Sequence, residues 1–174
     1  MPEVSDCFEL FGLTPDFAID LADLARRYRE QMARVHPDRF ANTSQQQQRE
    51  ALEQAANLNE AYQVLRSSPR RAIHLLALRG HELPMEATVQ DPEFLLAQLQ
   101  WREDLDTLQA NADLPGIAAF KKRLGEQQQG LEASFNDCWQ DDSQQQTAER
   151  LMRRMQFLER LAQQVDRLEE QLDD

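Results

Sequence analysis

The sequence predicts an all-α protein in two parts. The first is an antiparallel helical hairpin with short flanking helices, and the second is an antiparallel three-helix bundle. Three observations carry this. Ala, Leu, Gln, Glu and Arg dominate a chain of 174 residues with only 5 glycines and 7 prolines, so propensity favours helix nearly throughout. Apolar residues recur at three- and four-residue spacing in the longer segments. That periodicity stops from Arg79 to Asp91, in RGHELPMEATVQD. The expected division is 1–76, a connecting segment 77–90, and 91–174.

Each element has a local reason. Asp6 to Phe11 reads as a short helix ending at Gly12, a natural C′ position. Pro15 breaks the connector that follows. Asp20 can cap a helix running to about Val35, with Leu21, Leu24, Tyr28, Met32 and Val35 on one stripe. Arg26, Arg27 and Arg34 fall on its opposite side and Arg29 on a flank, giving a basic outer face. Pro37 ends this helix, because its ring disfavours helical geometry at His36 and it has no N–H. A polar loop, RFANTS, leads to a capping box of Ser44 with Gln47. The next helix runs to about Leu65, with Leu52, Ala55, Ala56, Leu58, Asn59, Tyr62 and Leu65 expected toward a core and QQQQ as an exposed first turn. Pro69 suits the first turn of a further short helix ended by Gly80.

Three longer patterns follow. Phe94, Trp101, Leu105 and Leu108 mark a helix from about Pro92 to Ala110. Ile117, Phe120, Leu124, Leu131, Phe135 and Cys138 mark a second. Ser143 with Gln146 reads as a capping box opening a third, whose stripe is Leu151, Met155, Leu158, Ala162 and Val165. Short connectors imply antiparallel neighbours.

The formal net charge of −12 argues against nucleic acid or an anionic membrane as the main partner, because phosphates would repel it. Residues 1–78 carry 9 basic and 11 acidic side chains, whereas residues 79–174 carry 10 and 20, so the acidity belongs to the second part. Arg26, Arg27, Arg29, Arg34 and Arg39 crowd into one short span of the first. Cys7 and Cys138 form no Cys-x-x-Cys pair, so no zinc or redox motif is present and buried free thiols are expected. The segment MPEVSDCFELFGL has acids but no basic region and no long apolar run. No signal peptide or membrane span is expected, and the default location is cytoplasmic.

One helix of the bundle has more apolar residues than folding requires. With Phe94 at zero and about 100° per residue, its core residues cluster near zero, while Leu95, Leu96 and Leu99 point between about 100° and 200°. Glu103 sits among them. A bundle helix ordinarily has one apolar stripe. A second patch with acids around it packs on the N-terminal domain, is open to a partner, or is exposed by chance. Phe157 lies off its own stripe and can join the patch or belong to the core.

His36 and Asp38 are of a type that serves as acid, base or metal ligand, but no further catalytic group, nucleophile motif or phosphate-cradling loop accompanies them. No enzyme activity, cofactor or metal is expected. His74 reads as a core-edge histidine. As a tripeptide, His-Pro-Asp is an ordinary helix stop. Its place in the loop of a hairpin, just past an arginine-lined helix, suits docking on an acidic partner.

The segment YREQMARVHPDRF, with the short helix before it and LNEAYQVL after it, resembles a J-domain. The N-terminal position, the absence of a glycine/phenylalanine-rich segment, and DPEFLLAQLQWREDL on an acidic bundle extend the resemblance over essentially the whole chain. It is to the HscB-type co-chaperones of iron–sulfur cluster assembly, including the segments RAIHLLALRG and MQFLERL. The resemblance implies a J-domain over 1–76 that activates the ATPase of a DnaK-class chaperone of the HscA type. It implies a bundle that holds the scaffold protein IscU. His36, Pro37 and Asp38 would then be the stimulatory motif, with Tyr28, Arg26, Arg27, Arg29 and Arg34 on the helix that meets the chaperone. The scaffold patch would comprise Leu95, Leu96, Leu99, Glu103 and Phe157. Gln100 and Thr107 stand where the family usually has acids.

Overall fold

In a computed structural model of the chain, residues 5–83 and 91–174 are described, and they contain α-helices but no strand. They form two compact units, divided between Leu83 and Pro84. Residues 84–90 of the expected connecting segment lie outside the described residues.

The first unit contains α1 (Cys7–Leu10), α2 (Leu21–Val35), α3 (Gln45–Arg66) and α4 (Ser68–Leu78). Asp6 caps α1, accepting the amides of Phe8 and Glu9, and Asp20 caps α2 through the amides of Ala22 and Asp23. Gly12 ends α1 with φ +65°, where a side chain would be strained. Phe8, Phe11, Phe17, Leu24, Leu58, Leu65, Leu75 and Leu76 fill the core. Each buried side chain of this size contributes about 1.5–3 kcal/mol. The hairpin of α2 and α3 is further joined by Tyr28 stacked on Tyr62, with ring centres 4.2 Å apart and nearly parallel. Leu21 and Leu52, expected on core stripes, are exposed at 50% and 57%. Ala56 and Asn59 are also exposed, while Ala51 and Ala61 are buried. The inward line of α3 thus runs through small residues, which allow close helix approach and which apolar spacing alone undervalues. RFANTS is not simply loop: Pro37–Phe40 forms a 3₁₀ turn.

His74 sits at the core edge. It stacks on Phe8 at 5.7 Å, and its Nε2 accepts the Cys7 amide at 3.1 Å, tying α4 to the start of α1. Burial pushes its pKa below the ordinary value of 6.5, against a smaller opposing effect of Asp6. The Cys7 thiol is half-buried, and burial together with Asp6 and Glu60 pushes it up to about 11, which leaves it unreactive at neutral pH.

The second unit contains α5 (Pro92–Ala110), α6 (Leu114–Cys138) and α7 (Gln145–Asp173). Leu105, Ile117, Phe120, Leu124, Leu158, Leu161, Val165 and Leu168 form one core, with Trp101, Leu108 and Leu131 packed at its margin. The cross-links show an up–down–up bundle. Lys121 near the start of α6 pairs with Asp166 (3.0 Å) and Glu169 (3.2 Å) near the end of α7. Gln128 in mid-α6 donates to the Met155 carbonyl, while Asp91 and Phe94 at the start of α5 meet Arg154 and Phe157. The expected Ser143 capping box does not form. Asp141 accepts from the Ser143 amide and hydroxyl, a 3₁₀ turn follows, and α7 begins at Gln145 with no side-chain cap. Asp141 offers a charged acceptor two residues earlier, and it engages the serine itself.

Both tyrosines lie in the first unit and both tryptophans in the second, so the two can be followed separately. The unfolded chain protonates at residue 74 before the folded one does. The first unit should therefore lose stability as pH falls through about 6.5 toward the lower folded pKa, with no such effect above that range. Tyrosine-monitored urea titrations should show this slope in the wild type and a weaker slope in His74→Gln.

Candidate functional site: a His-Pro-Asp turn and an exposed leucine face

The turn after α2 is assembled mostly from side chains bonded to backbone. Proline at 37 holds His36 in extended geometry, φ −57° and ψ 133°. The imidazole then folds over the turn, and its Nδ1 accepts the Asp38 amide at 3.2 Å. Because Nδ1 is an acceptor here, the ring N–H is on Nε2. The approach of His36 Nδ1 to Asp38 Oδ2, 3.5 Å, is therefore not an ion pair in this tautomer. The Asp38 side chain is 92% exposed. Behind the turn, Gln48 donates to the carbonyls of Ala41 and Thr43, and Thr43 Oγ1 donates to Phe40. Gln48 thus fastens the loop, a role the reading of QQQQ as an exposed first turn misses. The Ser44 cap on the Gln47 amide forms as expected, at 3.2 Å.

The arginines of α2 divide by what they touch. Arg26 bridges Asp23 (2.6 Å) and Glu30 (2.8 Å). Arg27 pairs with Asp23 at 2.9 Å and donates to the Phe11 carbonyl at 2.8 Å, joining α2 to the end of α1. Asp23 is held below its ordinary carboxylate pKa by its hydrogen bonds from Arg26 and Arg27. Among the described residues Arg29 and Arg34 have no carboxylate partner. Both are exposed, so they carry the unneutralised charge of this face. Tyr28 is half-buried, stacks on Tyr62, and its hydroxyl meets Asn59 at 3.3 Å, so its ring belongs to the hairpin interior.

On α5 the leucines predicted to face away from the core do so. Leu95, Leu96 and Leu99 are 55%, 72% and 57% exposed, and Glu103 is exposed beside them. Phe157 is half-buried, edge-on to Phe94 at 5.5 Å with the Arg102 guanidinium over its ring at 5.6 Å, and it packs against the bundle core. Gln100 bonds to Asp104, which also meets Arg123, and Thr107 donates to the Glu103 carbonyl.

A clamp fixes the start of this helix. Asp91 caps α5 through the Phe94 amide and receives two parallel bonds from Arg154 on α7, at 2.7 and 2.8 Å. Arg154 also lies over the Phe94 ring at 5.2 Å. Asp91 is held below its usual pKa, chiefly by Arg154. The start of this helix near Pro92 follows from the sequence pattern, whereas its Asp91 cap comes from the structure. Nothing local announced Arg154, 63 residues later.

These two units define a class: an all-α protein in which a hairpin presenting a His-Pro-Asp turn is joined to a three-helix bundle with an open leucine face. A DnaJ-domain family model matches residues 6–74, and one described as the HSCB C-terminal oligomerisation domain matches residues 90–166. The chaperone HscB from Vibrio cholerae is similar at 34% identity over 97% of this chain and 99% of its own, with a TM-score of 0.79. The Jac1 co-chaperone from Saccharomyces cerevisiae matches at 25% identity over 93% of this chain and 95% of its own, with a TM-score of 0.70. The human co-chaperone protein HscB shares the fold at 22% identity over 93% of this chain and 81% of its own, with a TM-score of 0.78. The chain belongs to the HscB family of J-domain co-chaperones. Among the described residues no helix is long and apolar enough to cross a membrane.

The division of the arginines has a measurable consequence. Arg27→Ala leaves the Phe11 carbonyl without its donor and should destabilise the first unit by about 1 kcal/mol. Arg34→Ala should change its stability by less than about 0.5 kcal/mol. Tyrosine-monitored urea unfolding of the two variants checks the difference.

Proposed function

We propose that this chain is an adaptor of iron–sulfur cluster assembly with two separate binding surfaces. The first unit stimulates ATP hydrolysis by a DnaK-class chaperone of the HscA type. The second unit holds the IscU-type scaffold on which clusters are assembled and delivers it to that chaperone. The observation that carries the reading is the pair of outward-facing features in different units: the His36–Asp38 turn in one, and Leu95, Leu96 and Leu99 in the other.

The mechanism follows from the groups each surface offers. Arg29 and Arg34 attract an acidic docking face and orient the approach. The turn then presents two complementary groups, an Nε2–H donor from His36 and the Asp38 carboxylate. Groups aimed at one conformation of the chaperone shift its population toward that conformation, here the one that hydrolyses ATP and closes on its client. Pro37 keeps the two groups in register. Tyr28 and Arg27 hold the helix that carries them, and Arg26 remains close to its own acids.

On the bundle, three leucines on one rigid helix supply apolar contact with little ordering cost, and Glu103 adds directionality. Phe157 extends the surface at its border. With Gln100 and Thr107 in place of acids, this contact depends less on charge than on apolar burial. The adaptor does no covalent chemistry. Holding scaffold and chaperone on one chain raises their effective concentration for each other.

Two variants test the separation. His36→Gln should abolish stimulation of a DnaK-class ATPase while scaffold binding stays near wild type. Leu96→Ala combined with Leu99→Ala should weaken scaffold binding by about 2 kcal/mol or more, with tryptophan-monitored stability unchanged. Loss of the bundle fold in the double variant would show that these leucines are core. Added salt should weaken the chaperone contact more than the leucine contact, because exposed charges are screened.

A further inference from the structure

The His36–Pro37–Asp38 turn is held from behind by a residue outside the motif. In a regular helix the Ala33 carbonyl would accept the amide of residue 37. That residue is Pro37, which has no N–H to give. The next two amides are committed elsewhere, Asp38's to His36 Nδ1 and Arg39's to the His36 carbonyl. The Arg39 side chain turns back and donates from Nη1 to Ala33 O at 3.2 Å.

The same arrangement recurs with the same spacing at the end of α3. There the Leu65 carbonyl has Pro69 four residues on, and Arg71, six residues on, donates to it from Nη1 at 2.7 Å. Arg71 is buried, with its guanidinium over the Phe17 ring at 4.8 Å. A buried arginine in this position serves the chain's own geometry, so the device is one of folding rather than of partner contact. Its second, exposed copy stands at the functional turn.

We infer that Arg39 is a positioning residue for the stimulatory turn. It supplies the hydrogen bond that Pro37 removes, and so fixes His36 and Asp38 relative to the axis of α2. The consequence for activity rests on the chaperone-stimulating function proposed above, whereas the geometry does not. Arg39 therefore differs from Arg34 in the same arginine-rich span, whose charge faces outward with no carbonyl to cap.

The test compares Arg39→Ala and Arg39→Lys in the full chain, with two readouts. The first is amide–water exchange by NMR. Arg39→Ala should speed exchange at Asp38, Arg39 and Phe40 by about fivefold, the factor that one modest hydrogen bond gives. Amides of Leu58 to Leu65 should be unaffected. In a Pro37→Ala background, residue 37 has its own amide for Ala33, so adding Arg39→Ala should change little. Unchanged exchange in Arg39→Ala, or an equal effect in both backgrounds, overturns the inference. The second readout is stimulation of a DnaK-class ATPase. It should fall in Arg39→Ala and return in Arg39→Lys, which can still reach the carbonyl. Normal stimulation by Arg39→Ala overturns the functional role. So does failure of Arg39→Lys despite a protected turn, which would make the guanidinium a direct contact. Absence of stimulation by the wild type would instead defeat the proposed function, with the exchange readout still deciding the role of Arg39.

Discussion

At each end of an α-helix up to four backbone groups lack an intrahelical partner, and in the first unit three such ends are completed by arginine side chains. The Phe11 carbonyl, at the end of α1 where Gly12 turns the chain out of the helix, takes its hydrogen bond from Arg27. Ala33 and Leu65, at the ends of α2 and α3, have Pro37 and Pro69 four residues on and take theirs from Arg39 and Arg71. Proline is an effective stop because it withholds a donor, and the same property leaves a carbonyl to be satisfied. A guanidinium, with five donors on a long stem, can reach it while also engaging an acid or a ring. Arg27 does the first, with Asp23, and Arg71 the second, with Phe17. The directions in which α2, α3 and α4 leave one another depend on these closures, and so does the aim of the His-Pro-Asp turn.

In the second unit the equivalent closure is the Asp91–Arg154 clamp. Asp91 caps α5 and pairs bidentately with α7 in one stroke. With the start of α5 fixed in this way and Phe94, Trp101 and Leu105 turned inward, the leucines at 95, 96 and 99 have no interior left to enter. Their exposure follows from the three-helix geometry. A helix with two neighbours can bury one broad arc, and this helix carries apolar residues on more than that. The leftover arc is left exposed, and it is the face to which the proposed function assigns scaffold binding.

Most of the fold was legible because all-α structure is written in local periodicity. The limits of α2 and α5, the Gly12 and Gly80 stops, and the caps at Asp20 and Ser44 all follow from residues within one turn of where they act. The inward line of α3 was less legible, since it runs through Ala51 and Ala61, whose burial reflects close helix packing and not hydrophobic size. At the start of α7 two capping side chains compete within three residues, and the charged Asp141 prevails over Ser143. Of the two proposed surfaces, the exposure of the leucines follows from helical angles, and the turn is marked by its His-Pro-Asp sequence. What the arginines do could not be read in this way. Arg26, Arg27, Arg29, Arg34 and Arg39 look alike as a basic cluster, yet two cap carbonyls, one is tied to neighbouring acids, and two have no carboxylate partner among the described residues. Only the positions of distant carbonyls separate them.

The two surfaces acquire their meaning from being on one chain. In the proposed mechanism a hairpin alone would stimulate a chaperone without choosing a client, and a leucine-faced bundle alone would hold a client without delivering it. Linkage replaces a bimolecular encounter with a local one, a gain that is lost when the surfaces are on different molecules. The most direct measurement is single-turnover ATP hydrolysis by a DnaK-class chaperone with an iron–sulfur scaffold present at limiting concentration. The stimulating species would be either the wild-type chain or an equimolar mixture of a turn-defective and a leucine-face-defective chain. The adaptor mechanism predicts full scaffold-dependent stimulation by the wild type and little by the mixture. Equal stimulation by the mixture would contradict it, because the two surfaces would then act without being joined.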